Sequence, residues 1–455
     1  MSSVEKAISS LQAVLPIGEE VSTFVNVVKT FPVGSVPFAI RGGGQQPVPG
    51  CANIHGGITI DLCHLTGVEV RDGYVEIAAG ERWGTVYEKL EPEGLGVTGG
   101  RSTTNGIGGL ALQGGLGFYS TREGFICDNI LNYEVVLASG AVVNANAQEN
   151  ADLWVALRGG GNNFGIVTRF DVRTFKQGPM WGGFVWYYKP SFEGQVEALV
   201  HELTRFDASK ETHLMISLAY ATVFGSDDVI CLNQMYYTQP VKNPAVLDPF
   251  TKIQPQKKEW NTMKLKTLVE AATEQTGAGQ SQIRCAYMNI TVKAEASTIQ
   301  IGGHIWCDEL EAIKSVPGLM CSYTLQPYAA SLLEKCKANG GNSLGFDAAT
   351  YTPTAATEPN PGPVVNVLLL TYWARREDDE RVLACMKKAL ARIQANAAAR
   401  KQLVPFVYWN YAFEHQDPLR SYGEENVRGL RRASEKYDPE GLFQKGCPGG
   451  FKLFG

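Results

Sequence analysis

Residues 99–109 read Gly-Gly-Arg-Ser-Thr-Thr-Asn-Gly-Ile-Gly-Gly, and an earlier run, 41–46, reads Arg-Gly-Gly-Gly-Gln-Gln; each follows a short apolar segment. Consecutive glycines let the main chain turn with positive φ and approach a ligand with no Cβ in the way. The amides bared in this fashion form an anion-binding nest. Arg41, Arg101, Ser102, Thr103 and Thr104 add donors suited to a pyrophosphate. Taken singly, either loop reads first as a tight connection between strands. With Gly114-Gly115 and Gly159-Gly-Gly-Asn-Asn-Phe-Gly165 in the same part of the chain, an extended phosphate-bearing cofactor becomes the better reading.

The familiar nucleotide signatures are missing. There is no G-x-x-x-x-G-K-[ST], no G-x-G-x-x-G between a strand and a helix with an acid about 20 positions on, and no G-x-S-x-G elbow. Composition narrows the field further. The 455 residues hold 41 Lys+Arg against 46 Asp+Glu, a net charge of −5, so no basic stripe exists to grip a phosphate backbone and nucleic acid is not expected as a partner. No apolar run is long enough for a membrane span. The segment Met1 to Ile17 reads as a docked helix without a secretion signal, which points to a cytoplasmic protein. The 10 cysteines include no CxxC pair and the 6 histidines are dispersed, so the thiols read as buried and reduced and no metal is expected.

Chain order indicates α+β. Before Gly183, short strands such as Pro37 to Ile40, Ile58 to Leu62, Tyr74 to Ala78 and Asn132 to Leu137 alternate with glycine loops. Helices are expected at Glu20 to Lys29, Trp83 to Leu90 and Asp152 to Leu157. Beyond Trp181 come longer aromatic and β-branched strands with helices at Phe192 to Phe206, Tyr328 to Ala338 and Asp378 to Ala398, the pattern of an antiparallel sheet covered on one face. Residues 347–363 read as an irregular loop, and the last fifty or so residues as a tail returning to the first part. The expected division is 1–175, 176–403 and 404–455.

Several of these motifs together carry a family resemblance: residues 41–50, Gly56 to Leu62, Gly106-Ile-Gly-Gly109, Cys127-Asp-Asn129, Gly161 to Val167, Tyr408-x-Asn410-Tyr411 and Tyr437-Asp-Pro439. The chain resembles the FAD-linked oxidoreductases of the berberine bridge enzyme type, especially their fungal members. That resemblance implies a PCMH-type FAD-binding domain of two α+β subdomains built from both chain ends, and a central substrate domain whose sheet faces the flavin. It would lay Gly42, Gly43, Gly44, Gln45 and Gln46 along the flavin and diphosphate. Gly100, Arg101, Ser102, Thr103, Asn105, Gly106, Gly108 and Gly109 would wrap the ring and phosphates. Gly115, Tyr119, Gly124, Ile166 and Val167 would line the rest of the channel, with Tyr408 and Asn410 beside the isoalloxazine.

Two departures stand out. Members that bind flavin through two covalent bonds use a histidine and a cysteine where this chain has Gln45 and Ser102. Neither an amide nor a protonated hydroxyl is a competent nucleophile, so any FAD should be held without a covalent link. The family's first strand also has no counterpart before Glu19, which leaves an edge to be covered by other means. The resemblance implies that a small organic secondary metabolite would be oxidised, with O2 as final acceptor and Tyr408 or Tyr323 taking the proton while Asn410 completes the polar set. The alternative is a flavin-independent cyclase or isomerase on the same fold that works by holding its substrate in one shape.

Overall fold

Three sheets organise the computed structural model, which describes residues 36–224, 229–276, 284–346 and 362–454. The helices expected before residue 30, the stretch before Glu19 where no first strand is expected, and nearly all of the 347–363 loop lie outside these residues. β1 (Phe38–Arg41) and β2 (Ile58–Asp61) pair in parallel, from Phe38↔Ile58 to Arg41↔Asp61. β3 (Val68–Arg71), β4 (Tyr74–Ala78), β5 (Leu95–Val97), β6 (Ile130–Val136), β7 (Val142–Asn146) and β8 (Ile166–Lys176) form a second sheet. Its order is β3-β4-β8-β6-β7, with β5 beside the far end of β8. The architecture is α+β.

The third sheet holds eight strands: β9 (Met180–Tyr188), β10 (Thr212–Ala221), β11 (Ile230–Tyr237), β12 (Lys264–Lys266), β13 (Arg284–Lys293), β14 (Met320–Tyr328), β15 (Val364–Trp373) and β16 (Leu403–Val404). They run β12-β9-β11-β10-β14-β15-β13-β16 with every neighbour antiparallel. The two-residue period sorts the side chains by face. Leu214, Ile216 and Leu218 of β10, with Tyr323 and Leu325 of β14, join a core with the helices Phe192–Thr204, Ala296–Leu310 and Asp379–Ala399. Each such aliphatic side chain withdrawn from water contributes about 1.5–3 kcal/mol. The opposite face carries Met215, Ser217, Thr324, Gln326, Tyr287 and Tyr372, and it turns toward the glycine loops.

The helix Ala296–Leu310 was not legible in the sequence, because Gly302 and Gly303 interrupt its pattern. The structure accounts for both glycines. A Cβ at Gly302 would lie 2.5 Å from the Tyr323 hydroxyl, and one at Gly303 2.7 Å from the Phe192 ring. Missing side chains let this helix lie close on the sheet. Its N-terminus is capped by the Glu295 carboxylate, which accepts from Ser297 N and Thr298 N.

The chain's end packs against its beginning. Trp409 closes on Gly161, the Phe443 ring meets Phe38 at 6.1 Å, Asn163 Nδ2 donates to Phe451 O at 3.1 Å, and the Tyr437 hydroxyl donates to Asp152 at 2.7 Å. All ten cysteines are free thiols. No helix among the described residues is long and apolar enough to cross a membrane.

Candidate cofactor groove and active site

The two glycine loops meet backbone to backbone. A Cβ at Gly43 would lie 2.7 Å from Gly106 N and 2.8 Å from Gly106 Cα, so neither position has room for a side chain. Arg82, just before the helix Trp83–Leu90, straps the loops together by donating to Gly43 O at 2.7 Å and Thr104 O at 3.3 Å. Gln45 Nε2 donates to Thr104 O at 3.2 Å. Gly44 is left-handed, φ 68°, which turns the strand exit back on itself. The amides of Gly42, Gly43, Gly44 and Gln45 donate to no described residue. Beside them lies an open surface hollow of about 530 Å³ lined by Gly43, Gln45, Arg82, Thr85, Glu88, Thr103 and Thr104.

These features suit an FAD diphosphate. Four unpaired amides in a turn are a nest for phosphate oxygens, and the half-buried Gln46 side chain leaves its Nε2 enclosed without a partner. Behind Gly106, Gly108 and Gly109 open the short helix Gly108–Leu112, and a Cβ on Gly109 would meet nothing within 4 Å. Asn105 lies in the same turn, its carbonyl accepting from Trp83 N at 3.0 Å. Ile166 and Val167 pair with Val136 and Val135 on one side; on the other they lie beyond the last β4 pair, Ala78↔Arg169.

Other expected cofactor residues are engaged elsewhere. The Arg41 guanidinium binds Asp61 at 2.6 Å and Asn53 at 2.7 Å, tying β1 to β2 and to the loop before it. Gly100 is closed by Trp83, 2.5 Å from where its Cβ would be, and the Tyr87 hydroxyl donates to Gly100 O at 2.5 Å. Gly115 is filled by Ile126, and Gly124 by Lys335 and Asp128. Tyr119 is buried edge-on against Phe175 under the Arg122 guanidinium. In each case the glycine or ring serves close packing. Ser102 and Thr103 share the Thr276 hydroxyl at 2.8 and 2.9 Å.

The polar centre of the site is one that spacing could not reveal. Arg101 leaves the second glycine loop and reaches the open face of the eight-stranded sheet, donating from Nη2 to the Tyr411 hydroxyl at 2.6 Å and from Nη1 toward Met215 Sδ at 2.6 Å. The Gln326 amide meets the same hydroxyl at 3.0 and 3.1 Å. Tyr287 stands edge-on to Tyr411, and its hydroxyl bonds that of Tyr372 at 2.6 Å. Burial, then the neighbouring Tyr372 phenol, pushes Tyr287 well above the ordinary phenol range, and burial raises Tyr372 too.

Two expected proton acceptors are displaced from that role. Tyr323 is three residues from Gln326 and therefore on the opposite face, where its hydroxyl donates to Ile299 O at 2.9 Å inside the helix-covered core. Tyr408 is enclosed by Phe125, Tyr328 and Tyr411; its oxygen accepts from Asn410 Nδ2 at 3.1 Å, and burial holds its proton on. Asn410 is a strut, since the same amide donates to Gln113 O at 3.0 Å and Leu110 O at 3.4 Å, tying the tail to the helix Gly108–Leu112. Tyr411 belongs to the tail motif Tyr408-x-Asn410-Tyr411, and its polar neighbours come from distant segments.

With this geometry in hand, similarities to known proteins are informative. Residues 13–146 match a family model described as an FAD binding domain. An FAD-dependent monooxygenase of Fusarium proliferatum is 34% identical over 438 residues, covering 94% of this chain and 82% of the relative. Among solved structures, 6-hydroxy-D-nicotine oxidase of Arthrobacter nicotinovorans superposes with a TM-score of 0.73 at 18% identity, covering 93% of this chain and 89% of that one. BBE-like 1 of Physcomitrella patens gives 0.71 at 19% identity, covering 96% and 91%.

Proposed function

Because the chain belongs to the FAD-linked oxidoreductases of the berberine bridge enzyme-like family and is an FAD-linked oxidoreductase, we propose that it oxidises a small organic secondary metabolite by hydride transfer to FAD held without a covalent bond, with O2 as the final acceptor. The family assignment does not favour the flavin-independent cyclase. FAD, when bound, would take a hydride from a substrate carbon and pass the electron pair to O2, giving H2O2.

One observation carries the reading: Arg101 belongs to the glycine loop at one end and to the substrate face at the other, so cofactor loop and substrate pocket share a residue. The amides of Gly42 to Gln45 would hold the diphosphate, and Arg82 keeps the two loops in register. Tyr411 is the group we assign to the substrate proton. As the phenolate, its oxygen would take that proton, with Gln326 Nε2 donating to it at 3.0 Å and Arg101 supplying a fixed counter-charge. Tyr287 and Tyr372 wall the same pocket. Gln45 and Ser102 supply no nucleophile toward the flavin, and the Ser102 hydroxyl is shared with Thr104 at 3.1 Å and Thr276 at 2.8 Å.

The visible spectrum of the purified protein tests this. Flavin bands that leave the pellet as free FAD on acid precipitation support it, whereas a colourless protein, or colour that stays with the acid-denatured chain, overturns it.

A further inference from the structure

Arg101 is a half-buried cation with no anion beside it among the described residues. No described carboxylate lies within ion-pair distance of it: Glu211 pairs with Arg122 at 2.9 Å, Glu274 binds Lys266 and the Tyr236 hydroxyl, and Glu270 lies 3.9 Å from Lys264. The two groups its guanidinium donates to are neutral, and one of them, the Met215 thioether, is a weak acceptor. A guanidinium drawn partly out of water gains most from an oxygen anion, with which it can bond through two N–H groups at once. Its field is felt nearby, since it adds to burial in keeping His213 uncharged.

Among the described residues, the strip of open sheet beside it, from Leu232 to Tyr287, carries no formal charge. Across the open face, cross-strand register sets Ser322 beside Leu370 and Leu370 beside Tyr287, while Ser217 pairs with Leu232 on one side and Thr324 on the other. The Ser217, Thr324 and Ser322 hydroxyls are bonded to one another at 2.9 Å, so their demand is largely met within the sheet. What remains, among the described residues, is a floor of aliphatic and aromatic side chains around mutually bonded hydroxyls, with one positive corner.

We infer that the substrate is a planar, mainly apolar molecule bearing one anionic oxygen, a carboxylate or an acidic phenol or enol, which docks on Arg101 while its ring lies over the strip from Leu232 to Tyr287. The inference rests on the reading of this face as the substrate site. It makes Arg101 a specificity-determining residue as well as the neighbour of Tyr411. An anion seated there fixes one edge of the molecule and turns the remainder along the sheet.

Calorimetric titration with salicylate and with its neutral counterpart salicylamide tests the inference in the protein as purified. Salicylate should bind at least about tenfold tighter than the amide, since a hydrogen bond to a charged group is worth about that factor or more. Arg101→Gln should erase the preference, and Arg101→Lys, which keeps the charge, should retain part of it. Equal binding of the two probes, no detectable salicylate binding, or a preference that survives in Arg101→Gln overturns the inference. Should Arg101→Gln fail to fold, the comparison of probes in the unaltered protein and in Arg101→Lys still decides. The flavin bands of the same sample report separately on the redox reading: colourless protein that discriminates the probes sinks that reading alone, and yellow protein that does not sinks this one alone.

Discussion

Replacing Gly43 by alanine probes the junction of the two loops. The added methyl would lie 2.7 Å from Gly106 N, 2.8 Å from Gly106 Cα and 2.9 Å from Arg82 Nη1. Ordinary contact begins near 3.5 Å, so the loops must part by roughly 0.7 Å, and the obstacle is main chain that cannot swing aside. Overpacking of this kind costs about 1–3 kcal/mol, and the Arg82 bonds to Gly43 O and Thr104 O lengthen with it. If bound FAD needs the loops in register, that range becomes a loss of roughly fivefold to hundredfold in affinity. Hydrogen exchange supplies a local readout: Trp83, Gly84 and Thr103 N–H donate to Asn105 O, Thr103 O and Thr276 Oγ1 at 3.0, 3.0 and 2.9 Å, and all three should exchange faster. Gly42→Ala is the internal control, because its methyl meets only Ala79 O at 3.6 Å and should leave those amides protected. Wild-type exchange and FAD affinity in Gly43→Ala, or equal exchange damage in both variants, would refute the reasoning.

Three further outcomes follow from the geometry. Tyr323→Phe removes only the bond to Ile299 O and should cost about 1 kcal/mol in denaturant stability while FAD binding is unchanged; weakened FAD binding at unaltered stability would return Tyr323 to the site. Asn410→Ala frees the tail from Leu110, Gln113 and Tyr408 and should weaken FAD about tenfold in a fluorescence titration, with no rescue by Asn410→Asp, which lacks the donor. His213 is held uncharged, first by burial and then by the Arg101 charge, with its pKa well below 6.5. The unfolded chain therefore takes up a proton near pH 6.5 that the folded chain refuses, so stability present above that pH is lost as pH falls below it. His213→Phe should flatten this acid limb in urea midpoints measured between pH 7 and 5; an unchanged slope counts against the assignment.

The α+β class and the meeting of a glycine-rich portion with a covered antiparallel sheet were legible because both rest on local signals, glycine clusters and the two-residue period. Strand parity could also have separated Tyr323 from Gln326, three residues apart on β14, although knowing which face is covered required the helix that Gly302 and Gly303 hide. The glycines themselves were ambiguous. Gly43 and Gly106 look no different in sequence from Gly100 and Gly115, yet the first pair touch each other while the second are filled by Trp83 and Ile126, residues supplied from elsewhere in the chain. Arg101 was readable as a phosphate donor from its neighbours. Its bond to Tyr411 crosses 310 positions and belongs to tertiary packing alone.

Titration of FAD into flavin-stripped protein puts the greatest strain on the idea that both loops jointly grip one dinucleotide through their main chain. One FAD per chain should be taken up, restoring the yellow colour, and Arg82→Met, which cuts the strap while leaving every amide in place, should bind at least about tenfold more weakly. Failure to take up FAD, or uptake by Arg82→Met as tight as by the unaltered protein, would contradict it.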